Sequence, residues 1–226
     1  MNITAEEAGT ALSSIAGRLL ENSIVTNEGY SVLQRVCSDL KRQKNSINWA
    51  LEIDPGERVT FEQVLDKNGA SVTPALVARI NVKQEDKKCH PFLSLDIAIE
   101  IENLVNDPIS RWHLDLANSN GSSFQDGPLI HLQYGGHNRN NRSLDHPLKV
   151  PRWSHPPMEV ALMCEIIAAN FFTEIWQEMR RDPTWCRSIS IFQKLCFTDY
   201  LEKMKGTLSV SSTTSLNEMW AGNWTS

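Results

Sequence analysis

From Thr4 onward the apolar positions recur three and four residues apart. Ala8, Ala11, Leu12, Ile15, Leu19 and Leu20 share one side of a helical period. Thr4 followed by Glu7 reads as a capping box, which predicts a helix over about residues 5–22. Asn27-Glu28-Gly29 interrupts the pattern. Tyr30, Leu33, Val36, Cys37 and Leu40 then set out a second amphipathic helix, ending in the polar run 41–46. After the turn signal Asp54-Pro55-Gly56 the period changes from helical to two. Residues 72–82 are rich in β-formers, and Leu93 to Ile101 alternates strictly, as a half-buried strand does. Residues 109–116 and 129–134 read as two further strands, separated by the polar, turn-forming stretch 118–127. Consecutive strands joined in this way pair most simply as antiparallel neighbours.

Periodicity then vanishes from Gly135 to His155. Pro156 and Pro157 stand where a helix start tolerates proline, and Met158 to Arg181 reads as one long apolar helix. Asp182-Pro183 stops it and caps a second, over about 184–205, which Gly206 is expected to end. The order is α, then β, then α. It predicts an α+β fold: a central antiparallel sheet flanked by an N-terminal helical segment and two long C-terminal helices. One domain is expected over 1–206. The Ser/Thr-rich tail 207–226 is expected to dock through Trp220 and Trp224.

Composition narrows the classes. With 226 residues, 41% hydrophobic and 22% charged, the chain can bury a core without staples, which excludes fibrous, collagen-like and wholly disordered proteins. No stretch approaches the roughly 20 apolar residues of a bilayer crossing, so no membrane partner is expected. Five cysteines without a CxxC pair argue against a disulfide framework, and Cys164, Cys186 and Cys196 read as core side chains. Residues 1–7 have no basic region or apolar run, so no signal peptide and a cytoplasmic location are expected. P-loop, GxGxxG, GxSxG, HExxH and EF-hand signatures are absent, which disfavours the chemistries they carry. A net charge of -5 does not suit a general nucleic-acid coat.

One segment departs from that acidic balance. Four of the six histidines, His131, His137, His146 and His155, fall within residues 131–155. Arg139, Arg142, Lys149 and Arg152 face a single carboxylate there, Asp145, so the segment carries about +3. Gly135-Gly136 would let backbone N–H groups approach an anion, and guanidinium groups suit phosphate. Trp153, framed by Pro151 and Pro156, could stack on a base. His137, Arg139, Arg142, Arg152, Trp153 and His155 are therefore the expected phosphate or nucleic-acid binding set, converging on one concavity. The bland alternative is a solvated connection between a strand and a helix.

A second grouping lies on the strands. His113 and Asp115 share a strand face, as do His131 and Gln133. Paired strands could bring His113 and His131 together, with Asp115, as general base and acid of a metal-independent ribonuclease or phosphodiesterase. Ser or Thr would follow two residues after each His in two-histidine phosphoesterases, whereas Asp115 and Gln133 stand there. A zinc site from His131, His137, His146 and His155 with Asp115 or Asp145 matches none of the usual ligand spacings, so no metal and no cofactor is expected.

The strings His131-Leu-Gln-Tyr-Gly-Gly136 and Pro151-Arg-Trp-Ser-His-Pro-Pro-Met158, followed by Asn170-Phe171-Phe172, resemble a group of uncharacterised bacterial proteins from mobile, antiviral-defence-type gene clusters. The resemblance covers the C-terminal half. It implies a cytoplasmic, multi-component setting with another protein of the same system as partner, and it transfers no catalytic residue. The expected function is thus a binding component that recognises a nucleotide or nucleic-acid phosphate. Alternatives are the ribonuclease and a structural assembly subunit, a homo-oligomer held by its C-terminal helices and tail.

Overall fold

The computed structural model describes residues 2–85, 90–104, 108–117, 119–120, 123–135 and 150–224. Its N-terminal helix α1 (Ala5–Glu21) begins at a reciprocal cap. Thr4 Oγ1 accepts from the Glu7 amide, and Glu7 Oε2 accepts from the Thr4 amide at 2.8 Å. The apolar stripe read from the sequence is the buried face of this helix, which packs on α2 (Asn27–Arg42). Gly29, in the first turn of α2, lies against backbone. A Cβ there would stand 2.2 Å from the Thr60 carbonyl oxygen and 2.8 Å from its nitrogen.

The strands are β1 (Asn48–Ile53), β2 (Val59–Thr60), β3 (Val64–Leu65), β4 (Ser71–Lys83), β5 (Phe92–Glu102), β6 (Pro108–Leu116), β7 (Ser119–Asn120), β8 (Ser123–Phe124), β9 (Ile130–Tyr134) and β10 (Trp153–Ser154). Every pairing is antiparallel. The main sheet runs β1-β4-β5-β6-β9-β10, with β2 and β3 also on β4, and β7-β8 forms a separate ribbon. β1 lies where the sequence pattern predicts no strand, although Trp49, Leu51 and Ile53 alternate inward along it. At the free side of β1 the Gln43 amide imitates a strand, accepting from Ala50 N at 3.1 Å and donating to Ala50 O at 3.0 Å.

Alternation divides the sheet into two faces. Leu51, Leu76, Ile80, Leu95, Ile97, Leu114 and Leu132 belong to the apolar face, in one core with the helices. The other face is polar. One row crosses five strands in register: Glu52, Arg79, Asp96, Asp115 and His131. Arg79 pairs with Glu52 at 2.5 Å, and Arg111 with Glu100 at 3.1 Å.

The C-terminal half departs from expectation in its boundaries. The predicted helix from Met158 is two helices, α3 (Val160–Phe171) and α4 (Thr173–Met179), broken at Phe172, whose φ of -129° and ψ of 45° leave the helical region. Pro156 and Pro157 precede the helix, and Glu159 is the N-cap, accepting from Ala161 N and Leu162 N at 2.9 Å each. Asp182 caps α5 (Pro183–Leu208), which runs on through Gly206. Cys164 and Cys196 are buried, but Cys186 is exposed. Short helices α6 (Ser215–Glu218) and α7 (Ala221–Trp224) follow. Trp224 is buried beside Tyr200, ring centroids 5.8 Å apart, and the Leu129 amide donates to Met219 O at 2.8 Å. Trp220 is partly exposed. Among the described residues no helix is long and apolar enough to cross a membrane.

Two outcomes follow from these contacts. Gly29→Ala gains helix propensity but meets the Thr60 backbone, so it destabilises by about 1–3 kcal/mol in urea unfolding. Glu159 is fully buried, and that burial pushes its carboxyl from 4.5 up to about 7, against the two amides that favour the anion. Between those values the folded chain holds the proton more tightly than the unfolded one, so this group's contribution to stability falls as pH rises through the window. Glu159→Gln imitates the protonated form. Relative to wild type it gains up to about 3 kcal/mol between pH 4.5 and 8, read by thermal unfolding. A flat difference across that range would show that the carboxyl titrates alike in both states.

Candidate functional site

Strand alternation puts Arg111, His113 and Asp115 on the polar face of β6. Antiparallel register sets Asp115 directly opposite His131 on β9, and His113 opposite Gln133. His131 Nε2 lies 2.7 Å from Asp115 Oδ1, and His113 Nε2 lies 3.6 Å from Asp115 Oδ2. The strands thus bring together the three residues that the sequence grouped. Among the described residues they form a cluster whose donor atoms all lie within 4.8 Å of one another, close enough to consider a shared cation.

The other nitrogen of each ring is anchored on backbone. His113 Nδ1 lies 3.0 Å from Gly135 O, and His131 Nδ1 lies 3.1 Å from Pro128 O. A carbonyl oxygen only accepts, so each Nδ1 carries a proton and donates it. In the neutral ring the lone pair then sits on Nε2, facing Asp115. Burial pushes the His113 imidazole below its ordinary range, partly offset by the Asp115 carboxylate. His131 is fully buried and His113 nearly so, whereas Asp115 keeps 25% of its side-chain surface. Close as they are, Asp115 Oδ1 and His131 Nε2 make no hydrogen bond with each other, and neither has a hydrogen-bond partner among the described residues.

The anchoring carbonyls carry no side-chain signal. Gly135 adopts a positive φ of 77°, a region that favours glycine. Its amide donates to Arg111 O at 2.8 Å, and its carbonyl turns to His113 and to Arg111 Nη1 at 3.4 Å. The first of the twin glycines is therefore engaged in holding β6 to β9.

The expected phosphate-binding set is divided. His137, Arg139 and Arg142 lie outside the described residues, as do His146 and Asp145. Arg152 lies on the polar side. Its Nη1 donates to Asp126 O at 2.8 Å, Nη2 to Gln125 Oε1 at 3.0 Å and Nε to Gln133 Oε1 at 3.4 Å. Trp153 pairs with Leu132 in register and is 68% exposed. His155 lines an apolar hollow of about 300 Å³ with Trp112, Leu114, Leu132, Met158 and Ile166. Arg152 and His155 thus stand on opposite faces of the sheet. Compared with known protein families, curated proteins and solved structures, the chain matches none.

Arg152 ties the loop before β9 to the strand that carries His131. Arg152→Ala is expected to cost about 1–2 kcal/mol in thermal or urea unfolding. Arg152→Lys should not restore it, because an ammonium lacks the planar fork that reaches both Gln125 and Asp126. Full stability in the Ala variant would show that these contacts are idle.

Proposed function

We propose that the protein binds a phosphate-bearing ligand, a nucleotide or a nucleic-acid strand, beside His113, Asp115 and His131. The supporting observation is how the His/Arg-rich segment is seated. It leaves β9 at Gly135, whose amide is held by Arg111 O. It returns as β10, where Ser154 pairs with His131 and the His155 amide donates to Ile130 O at 3.2 Å. One stem of a segment that carries Arg139, Arg142 and Lys149 against Asp145 is therefore held to β6, and the other is paired with β9, the strand bearing His131. Guanidinium groups tethered there would supply charge-assisted, bidentate donors to phosphate oxygens.

Cleavage by paired histidines alone is the weaker reading. Separate acid and base must stand either side of the reacting phosphoryl group. Here both Nε2 atoms face one carboxylate, 3.6 Å and 2.7 Å from its oxygens. The resemblance to defence-cluster proteins supports a cytoplasmic component acting with a partner protein.

Fluorescence anisotropy of labelled single-stranded RNA, single-stranded DNA and a nucleotide, across a salt series, tests this reading. Binding should weaken steeply with salt, and replacing Arg139 and Arg142 with Ala should lower the slope of log affinity against log salt by about one per lost phosphate contact. Affinity and salt slope equal to wild type in that double variant would overturn it.

A further inference from the structure

We propose that Nε2 of His113, Nε2 of His131 and the Asp115 carboxylate hold one divalent transition-metal cation, with coordination positions left open on the Asp115 side. The geometry carries this in three steps.

The first is distance. Bonds of about 2.0–2.1 Å to a metal place any two donors no more than about 4.2 Å apart. The three donors already lie within 4.8 Å, so side-chain displacements of under about 1 Å close the set.

The second is tautomer. Both rings donate Nδ1–H to a backbone carbonyl, Gly135 O and Pro128 O, and both aim Nε2 at the same carboxylate. Metal-bound imidazoles are held in this way, by an outer partner on the far nitrogen that fixes ring orientation and raises donor strength.

The third is electrostatic need. His131 Nε2 and Asp115 Oδ1 are buried and 2.7 Å apart without making a hydrogen bond. In the neutral ring two lone pairs at that separation repel, and a cation against both would satisfy them. Asp96 stands opposite Asp115 on one side and opposite Arg79 on the other, so the part left to a cation is the His131–Asp115 pair.

Donor type selects the class of ion. Two imidazoles and a carboxylate suit zinc, iron, cobalt or nickel, whereas magnesium and calcium take oxygen ligands. Three protein ligands with a partly exposed third member leave room for water or a substrate oxygen, as in catalytic sites and unlike closed structural ones. Ligand spacing along the chain concealed this set, because the register of β6 on β9 assembles it.

The test is uptake of Co²⁺, then Zn²⁺, by the full-length protein after chelator treatment, with no nucleotide present. One Co²⁺ per chain is expected, with the visible absorption of a four- or five-coordinate ion, displaced by Zn²⁺. Asp115→Asn and His113→Gln should each weaken uptake by more than about 100-fold, beyond the cost of losing an outer partner. Zn²⁺ should raise the Tm of wild type and leave that of Asp115→Asn unmoved. This second readout stands if His113→Gln does not fold, since Asp115 is the most exposed of the three. No stoichiometric uptake by wild type, or uptake unchanged in Asp115→Asn, overturns the proposal. Because phosphate is absent, failure here leaves nucleic-acid binding untouched, and failure of the Arg139 and Arg142 test leaves metal uptake untouched.

Discussion

The register of β9 on β6 is the constraint on which the polar cluster depends. Asp115 faces His131 because the ladder is pinned at both ends. Ala117 N donates to Leu129 O at 2.6 Å, and Gly135 N to Arg111 O at 2.8 Å. A slip of one residue would turn every side chain of β9 to the opposite face. His131 would then enter the apolar layer, and Leu132 would leave it. Burial of Ile130 on the apolar side resists that slip, so the packing that stabilises the sheet also aims the imidazole.

The two faces perform separate tasks. One contributes Leu76, Ile80, Ile97 and Leu114 to the common core with the helices. The other carries a lattice of unlike charges, Glu52 with Arg79 and Glu100 with Arg111, and Arg58 reaches both Glu100 and the buried Glu102. Toward β9 that lattice gives way to two imidazoles and a carboxylate. The cluster therefore sits where the polar surface is enclosed, and Asp115 is its link to solvent.

Much of the fold was legible in the chain because alternation and helical spacing report directly on burial. Strands β4, β5, β6 and β9 and helices α1, α2 and α5 lie close to where the pattern put them. The exceptions have physical reasons. β1 shows its alternation over only six residues, and a short run of that kind competes poorly with a turn signal beside it. The break at Phe172 is a change of dihedral angle inside an apolar run without Gly or Pro, so composition does not mark it. Of the candidate site, His113, Asp115 and His131 were legible from strand periodicity. The carbonyls of Pro128 and Gly135 were not, since a backbone acceptor has no residue type. Two partners of Arg152, Gln125 and Asp126, come from a loop, where no period relates sequence to position. The burial of Glu159 at the start of α3 comes from tertiary packing, which no residue type beside it marks.

The borders of the sheet carry a consequence of their own. On one flank a glutamine side chain already occupies the hydrogen-bonding groups of Ala50, and Ser46 Oγ engages those of Asn48. On the other flank β10 is two residues long and bounded by Pro151 and Pro156, which have no amide hydrogen to lend. A visiting polypeptide that sought to extend the ladder would meet a decoy at one rim and imino acids at the other. Recruitment by strand addition is thereby discouraged, and association through this sheet falls to its side chains.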